Sequence, residues 1–398
     1  MNWLHPDHRA DRLAQAAADW RFPADTIYLN HGSFGPAPRS VRQARQQWQE
    51  RQDEQPMQFY VRELEPAWLS AREKLATWIG ARADDVAFVE NATYGMNVVA
   101  QSVALEPGDE VLLNNHEYGA VRRIWRRACD QQGARLVEAT LPLQVETADD
   151  LLAPLWSAVT ERTRVIVISH ITSATAITMP VEAIVRQAHE RGILVCIDGP
   201  HAVAQLSLNL SALDADFYTA SCHKWLCAPL GTGFLHVAAR HHATIRPALL
   251  SWGRLLPNMP ERWDEQFRWT GTRDYSPYLA VPAAIEFLES FGVEAFREAT
   301  HAMARATRRE LISLLQQPAL VPDDPAWYGC MTEVWLPSGD WSDLQQWLRH
   351  EEGIEVPIIA LEDRWAVRVS CHLYTRPLHV ERLLRGLRRA LDRVSRMV

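Results

Sequence analysis

Residues 193–201, ILVCIDGPH, decide the fold class of this 398-residue chain. The segment begins as a continuous apolar run, a pattern typical of a β-strand that is covered on both faces. It ends at Asp198 and turns at Gly199 and Pro200. A second apolar run, residues 164–169 (RVIVIS), precedes it, and a helical pattern over residues 181–191 separates the two. This strand–helix–strand order predicts an α/β architecture with a mostly parallel sheet.

The same alternation extends from about residue 84 to residue 237. Strand-like runs at 85–90 and 110–115 are followed by helical segments, from Thr93 and over 118–132 respectively. After about residue 280 the order changes to helices (281–291, 293–317), then strands (331–336, 354–359, 366–370) and a basic helix from about Pro377. We therefore predict a large α/β domain over residues 22–278. A smaller α+β domain would contain both chain ends, residues 1–21 and 279–398, with an opening helix of about 20 residues.

Composition excludes several classes of protein. Hydrophobic residues make up 47% and charged residues 23%, which is typical of a globular protein with a sizeable core. The net charge of −8 argues against nucleic-acid or anionic-membrane partners, and no apolar run approaches the ~20 residues that span a bilayer. Six cysteines without a CxxC pair or metal-ligand spacing favour a reduced, cytoplasmic protein with no metal site.

The chemistry centres on residues 221–225, SCHKW. Taken alone, Lys224 is more simply an exposed loop lysine, because lysine is rarely buried without a partner. Asp198 changes that balance, since it closes an apolar strand and ligands bind at the carboxyl ends of strands in α/β sheets. An acid at one strand end and a lysine after the next strand can face one crevice.

A phosphorylated pyridine aldehyde is the kind of cofactor that needs this pair. A desolvated lysine forms an imine with the aldehyde. A carboxylate keeps the ring nitrogen protonated, so that the ring accepts the electrons released when a Cα bond breaks. The phosphate would bind at Asn91, Ala92 and Thr93, where a helix begins. Thr93 alone would serve equally well as an ordinary helix N-cap.

Six motifs in one order carry a resemblance that spans nearly the whole chain. They are YLNHGSFG (28–35), ENATYGMN (90–97), DGPHAV (198–203), SCHKW (221–225), WTGTRD (269–274) and RVSCHLY (368–374). This order resembles the class V aminotransferases, which are fold-type I pyridoxal-phosphate enzymes, and within them the isopenicillin N epimerase-like branch. The resemblance implies the fold-type I PLP-dependent transferase fold, pyridoxal 5'-phosphate as cofactor, and a homodimer with shared active sites.

Carried over by position, the resemblance gives the cofactor site. Lys224 would hold pyridoxal phosphate as a Schiff base and move protons at Cα, and Asp198 would pair with the pyridinium nitrogen. His201 would lie near the phenolic oxygen, and Tyr118 would stack on the ring, although a core aromatic at a helix start is also a fair interpretation. The phosphate would contact Ala92, Thr93, Ser221 and His223, and Thr270, Gly271 and Thr272 from the neighbouring subunit. Ser173 would replace, with shorter reach, an asparagine near the cofactor hydroxyl.

The substrate site follows in the same way. Arg368 matches the arginine that forks onto a substrate α-carboxylate, and Asn30 and His31 would lie close to that carboxylate. Arg273 is a candidate for a second acidic group on the substrate, although a structural pair with Asp274 is favoured. The substrate is expected to be a small amino-acid-like molecule.

The reaction itself stays open. Cysteine desulfurases carry a cysteine on a mobile loop, but residues 355–365 (EVPIIALEDRW) are short and contain none. Cys330 and Cys371 are interpreted as packed thiols, so a persulfide route is disfavoured. Epimerisation leads, with β-elimination by a C–S lyase and transamination as alternatives. Epimerisation needs a second acid–base group, for which Tyr118, His31 and Tyr374 are unranked candidates. A non-catalytic binding relative is opposed by Lys224, Asp198 and Arg368.

Overall fold

The computed structural model describes residues 15–254 and 260–395. Most of the predicted opening helix therefore lies outside the described residues. In chain order the described strands are β1 (Ile27–Tyr28), β2 (Val86–Val89), β3 (Glu110–Asn114), β4 (Arg135–Ala139), β5 (Thr163–Ser169), β6 (Leu194–Asp198), β7 (Phe217–Ser221), β8 (Gly233–Val237), β9 (Met331–Trp335), β10 (Ile354–Glu355), β11 (Ile358–Leu361) and β12 (Arg364–Ser370). The α-helices of eight residues or more are Arg39–Glu54, Leu64–Trp78, Ala92–Ser102, Gly119–Gln132, Ala148–Ser157, Val181–His189, Val281–Phe291, Val293–Leu315, Leu344–Glu352 and Pro377–Ser395.

The large sheet has seven strands in the order β2-β8-β7-β6-β5-β3-β4. Strands β3 to β7 are parallel, and β8 pairs antiparallel with both β7 and β2. The prediction of a mostly parallel sheet is confirmed. Strand β4 was not predicted, because its sequence RLVEA is polar and partly exposed at the sheet edge and lacks the apolar run that marks the buried strands.

Two smaller sheets involve the C-terminal part of the chain. Strands β11, β12 and β9 form an antiparallel sheet, while β1 pairs parallel with β10. The single strand predicted at 354–359 is two strands, because Pro357 stands between them and has no N–H to donate to a ladder. Strand β1 thus joins a C-terminal strand although it falls inside the interval predicted for the large domain. The domain boundaries remain a prediction.

The sheet brings the chemistry-bearing residues to one edge. Asp198 ends β6, Ser221 ends β7, and Asn91 follows β2 by two residues. Strand β2 runs in the same direction as β7, because each is antiparallel to β8. All three carboxyl ends therefore open at the same edge, where α/β proteins bind ligands. Among the described helices, none combines the length and apolarity needed to cross a membrane.

Gly353 lies where β1 is attached to the C-terminal part of the chain. It has a φ of +67°, its carbonyl accepts a hydrogen bond from the Ile27 amide at 2.8 Å, and an added Cβ would overlap the carbonyl oxygen of Asp25. Gly192 has a similar φ of +68° but open space around it. We expect Gly353→Ala to lower the free energy of unfolding by about 1–3 kcal/mol more than Gly192→Ala, because it adds a clash to the same backbone strain. Urea unfolding of both variants measures the difference, and equal losses would contradict the clash.

Candidate active site

Lys224 and Asp198 lie together at the carboxyl edge of the sheet. Lys224 is largely buried and Asp198 is 5% exposed. Burial lowers the pKa of the Lys224 amine, and the positive charge of Arg368 lowers it further, against the pull of Asp198. Burial raises the pKa of Asp198, and the nearby Glu117 carboxylate adds to that rise. The structure thus brings together the two residues on which the sequence argument rested.

His201 connects Lys224 to Trp225. Its Nε2 lies 3.1 Å from Lys224 Nζ, and its Nδ1 accepts a hydrogen bond from the indole N–H of Trp225 at 3.2 Å. Burial lowers the pKa of His201 well below its usual value, and Lys224 and Arg368 act in the same direction. His201 is therefore a neutral imidazole in contact with the lysine amine.

The predicted phosphate residues meet where the helix Ala92–Ser102 begins. The Ala92 amide donates to Ser221 Oγ at 3.0 Å, which ties this helix to the end of β7. The N-cap is Asn91, whose side chain accepts from the Tyr94 amide at 2.9 Å. Thr93 is therefore not the cap. It is exposed in the first turn, where backbone amides have no intrahelical acceptor.

His223 and residues 270–272, all predicted to contact the phosphate, differ in their surroundings. His223 Nδ1 contacts the Thr232 carbonyl at 3.2 Å, which leaves Nε2 without that constraint. Thr270 and Gly271 are partly exposed, Thr272 is exposed, and no atom lies within 4 Å of a Cβ built on Gly271. The phosphate roles of these residues stay predictions.

Arg273 binds the 270–272 segment through contacts within the same chain. Its guanidinium binds Glu90, Thr270 Oγ1 and the Tyr278 hydroxyl. The favoured pair between Arg273 and Asp274 is wrong, because Asp274 instead binds Arg45, Gln49 and Gln52. Arg273 does make structural contacts, with Glu90 as the carboxylate partner, and its role towards a second acidic group of the substrate stays untested.

Arg368 is 3% exposed and fixed by two serines. One Nη donates to the carbonyl and hydroxyl oxygens of Ser173, and the other donates to Ser33 Oγ at 3.0 Å. Ser173, predicted near the cofactor hydroxyl, therefore contacts the arginine predicted to bind substrate. Its cofactor role stays a prediction, and its observed role is to hold Arg368.

His31 is wholly buried and both of its ring nitrogens have protein partners. Nε2 lies 3.0 Å from the Lys224 carbonyl and therefore donates, and Nδ1 accepts from the Tyr374 hydroxyl at 2.9 Å. Burial lowers the pKa of His31 to about 3. These contacts give His31 a role in holding the Lys224 loop, and its predicted substrate contact remains untested. Asn30 Oδ1 is buried and has no hydrogen-bond partner among the described residues.

One cluster of potential metal ligands is present in the described part of the chain. His31, Cys227 and His372 each place a ligand atom within 4.8 Å of the others. The two imidazoles stack in parallel, with centroids 3.9 Å apart and planes 12° apart. Ligands of one metal ion approach it along their lone pairs, and stacked rings direct theirs side by side. The two rings are packed against each other, and the absence of a metal stays a prediction.

The three candidates for a second acid–base group differ in access. Tyr374 is 5% exposed and bound to His31, while Tyr118 is 50% exposed at the start of the helix Gly119–Gln132. Tyr118 also lies close enough to Arg368 to oppose the lowering of that arginine's pKa. Tyr118 is the candidate of the three that the site leaves accessible.

Three side chains near the site were missed by sequence reasoning. Trp225 binds His201. Glu117 accepts hydrogen bonds from the amide and hydroxyl of Ser169, which lies beside Asp198. Glu333 lies directly opposite Arg368 on the neighbouring strand. Nothing in their sequence spacing indicates these contacts. A simple count would have strengthened the assignment of Lys224, because the chain contains two lysines and the other, Lys74, forms an exposed pair with Glu289.

The donors and acceptors of this site fit pyridoxal phosphate. The Asp198 carboxylate is buried without a hydrogen-bond donor among the described residues, which suits a pyridinium N–H. Lys224 offers a desolvated amine for the aldehyde, and the helix that begins at Ala92 offers an anion site. Exposed Tyr118 offers a ring face for stacking.

Comparisons with known proteins agree with a pyridoxal-phosphate site in this chain. The family model for aminotransferase class-V matches residues 27–383. The chain is 37% identical to isopenicillin N epimerase from Amycolatopsis lactamdurans, over 90% of this chain and 94% of that protein. It is 33% identical to isopenicillin N epimerase from Streptomyces clavuligerus, over 94% and 98%. An L-cysteine desulfhydrase from Arabidopsis thaliana is 28% identical over 84% and 77%.

Among solved structures, the cystine C–S lyase C-DES in complex with its product cysteine persulfide superposes with a TM-score of 0.81. It has 22% sequence identity and covers 92% of this chain and 98% of its own. A C-DES mutant with glycine covalently linked to the PLP cofactor gives a TM-score of 0.82 at 21% identity, over 96% and 99%. These likenesses confirm the fold-type I architecture. The chain is a pyridoxal-phosphate enzyme and belongs to the class V aminotransferase family.

Proposed function

We propose that this enzyme inverts the configuration at Cα of an amino acid or amino-acid derivative. The observation that carries the proposal is the pair of ionisable groups near Arg368, the desolvated amine of Lys224 and the half-exposed hydroxyl of Tyr118. Inversion needs one group to remove a proton from one face of Cα and another to return a proton to the opposite face. The similarity to two isopenicillin N epimerases over nearly the whole chain supports the same reaction.

Pyridoxal phosphate, when bound, supplies the electron sink that makes the Cα proton acidic. The role of Lys224 is to bind the cofactor through its neutral amine and then to move the proton at Cα. Arg368 binds the substrate carboxylate and orients Cα, since a guanidinium forks onto a carboxylate through two parallel N–H groups. The two serines that hold Arg368 limit its movement.

The hydrogen bonds around His201 favour the neutral form of Lys224. An indole N–H only donates, so His201 Nδ1 must carry a lone pair, and the ring proton of the neutral imidazole is then on Nε2. That proton faces Lys224 Nζ at 3.1 Å. A neutral amine accepts such a bond, whereas an ammonium has no lone pair to offer. Trp225 thus positions His201, and His201 stabilises the nucleophilic amine.

A C–S lyase is the second candidate function, because relatives named cysteine desulfhydrase and C–S lyase share this chain's sequence or fold. β-Elimination requires the same lysine and a substrate with a sulfur leaving group. A persulfide carried by the enzyme is opposed by the structure, since all six cysteines are buried. Burial raises the pKa of Cys227, Cys330 and Cys371, which keeps these thiols protonated and unreactive.

We also propose a cytoplasmic homodimer with shared active sites. Leu249, Leu250 and Trp252 are 52%, 82% and 53% exposed and precede the 270–272 segment. Clustered exposed apolar side chains mark interaction surfaces. A second copy on this surface would cover them and bring Thr270, Gly271 and Thr272 towards the phosphate of its neighbour.

The reaction is tested by proton NMR in D₂O. The cofactor-loaded enzyme is incubated with a panel of amino acids and cysteine conjugates. Loss of the Cα–H signal with an intact carbon skeleton, together with appearance of the opposite configuration at Cα, is expected. Pyruvate or another keto acid together with a released thiol would establish the lyase and overturn the epimerase proposal.

The assignment of Lys224 has a clean control because the chain has two lysines. Borohydride reduction of the loaded protein is expected to fix the cofactor on the Lys224 peptide, as identified by mass spectrometry. Lys224→Ala should lose both this adduct and the visible absorbance of the bound cofactor. Lys74→Ala should keep both, since Lys74 is exposed and pairs with Glu289. An adduct on Lys74 alone would contradict the assignment.

The Tyr118→Phe variant tests whether Tyr118 performs the second of the two proton transfers that an inversion needs. We expect Cα–H exchange from the Lys224 side to continue while inversion falls by about 10²–10⁴-fold, the usual contribution of one acid–base group. The same NMR experiment gives both rates, with polarimetry for the configuration. Tyr374→Phe is the matched control and should leave the ratio of inversion to exchange unchanged. Equal loss of both rates in Tyr118→Phe would contradict the assignment of Tyr118 to the second proton alone, and unchanged rates would leave its ring only a stacking role.

A further inference from the structure

Glu333 lies on the face of the small sheet that borders the active site. It is the Cα partner of Arg368 in the antiparallel pair of β9 and β12, so both side chains share one face. Ser370, two residues after Arg368, lies on that face and its Oγ accepts from the Gly32 amide at 3.1 Å. A Cβ on Gly32 would lie 3.4 Å from the His201 ring. The face that carries Arg368 and Glu333 therefore meets the residues around Lys224.

Both Glu333 and Arg368 leave polar atoms unused. Glu333 is 4% exposed, and neither of its carboxyl oxygens has a hydrogen-bond partner in the described part of the chain. The Nε of Arg368 is also buried without a partner, although its other nitrogens bind Ser173 and Ser33. An unpaired buried carboxylate is costly. A complementary donor and acceptor thus stand on neighbouring strands without being joined.

We propose that Glu333 controls the charge of the carboxylate-binding site. As a neutral acid it leaves Arg368 free to bind a substrate carboxylate, and as a carboxylate it binds the Nε of Arg368 and competes with the substrate. The inference rests on the proposed function, because it takes Arg368 as the group that binds the substrate carboxylate. When a carboxylate binds at a pH where Glu333 is ionised, one proton passes from solvent to Glu333. Glu333 is therefore a positioning residue that acts through Arg368.

The charges around Glu333 set the pH at which this exchange occurs. Burial raises the pKa of Glu333 to about 8, and Arg368 acts in the opposite direction. Glu333 is then mostly neutral below about pH 8 and mostly ionised above it. The ionisable groups that act on Arg368, or on which it acts, are Glu333, Tyr118, Lys224 and His201. The helix Val293–Leu315 packs on β9, and its buried Arg308 binds the Val321 carbonyl and Asp323.

The test measures binding of 2-aminoisobutyrate, which has a carboxylate and an amine but no Cα–H, to the cofactor-loaded protein. Its dissociation constant is followed by visible absorbance between about pH 6.5 and about pH 9.5. For wild type we expect binding to weaken about 30-fold by pH 9.5, because affinity falls with the fraction of protein that is competent to bind. Glu333→Gln should remove this weakening. Glu110→Gln is the control. It changes a buried carboxyl at the amino end of β3, away from the active-site edge of the sheet, and its binding should depend on pH as that of wild type does.

Glu333→Met provides a second variant if Glu333→Gln fails to fold. It replaces an unpaired buried carboxyl with an apolar side chain of similar size, so it should be at least as stable and should also bind the probe independently of pH. Matching pH profiles for wild type and either variant would overturn the proposal. Weaker binding by the variants at every pH, or equally weak binding by all the proteins, would also overturn it. Failure of the proposed function is distinct, since 2-aminoisobutyrate has no Cα–H and its binding does not depend on whether the enzyme inverts or eliminates, which the NMR experiment decides.

Discussion

The removal of one lysine amine from water is the constraint on which the rest of the site depends. Lys224 is held at the carboxyl edge of a parallel sheet, where β6 and β7 supply Asp198 and the loop that begins at Ser221. Burial favours the neutral amine, and His201 offers a proton that only a neutral amine accepts. Trp225 fixes the imidazole in the tautomer that allows this. The indole that follows the lysine in sequence thus supports, through His201, the neutral state that burial favours.

The Lys224 loop is fastened by residues that are distant in sequence. His31 donates to the Lys224 carbonyl, and Tyr374 donates to His31, so segments near both chain ends hold the loop. Strand β1, which leads into His31, is paired with β10. The small sheets therefore also help to form the candidate active site. They fix Arg368 and His31 on one side of a site whose other side is the edge of the large sheet.

The sequence predicted the parts of the molecule that follow from local pattern. The apolar runs of β5 and β6, the acid that ends β6 and the motif around Lys224 all follow from adjacent residues. It could not predict Glu333 opposite Arg368, because that contact depends on the register of two strands about 35 residues apart. It could not predict that the oxygens of Ser173 accept from Arg368, because the path of a loop is not encoded in a motif, and the cofactor contact of Ser173 stays a prediction. The half-exposed state of Tyr118 and the closed state of Tyr374 likewise depend on packing.

The ionisable groups of this site are arranged in two acid–base pairs. On the large sheet, Asp198 stands near Lys224, with Glu117 adding a negative charge. On the small sheet, Arg368 stands near Glu333. Arg368 disfavours protonation of Lys224 and His201. In the proposed reaction, a substrate carboxylate that neutralises Arg368 would weaken this effect and make Lys224 more basic when it takes a proton from Cα. Arg368, if it binds the substrate carboxylate as proposed, is therefore also placed to link substrate binding to the basicity of the lysine.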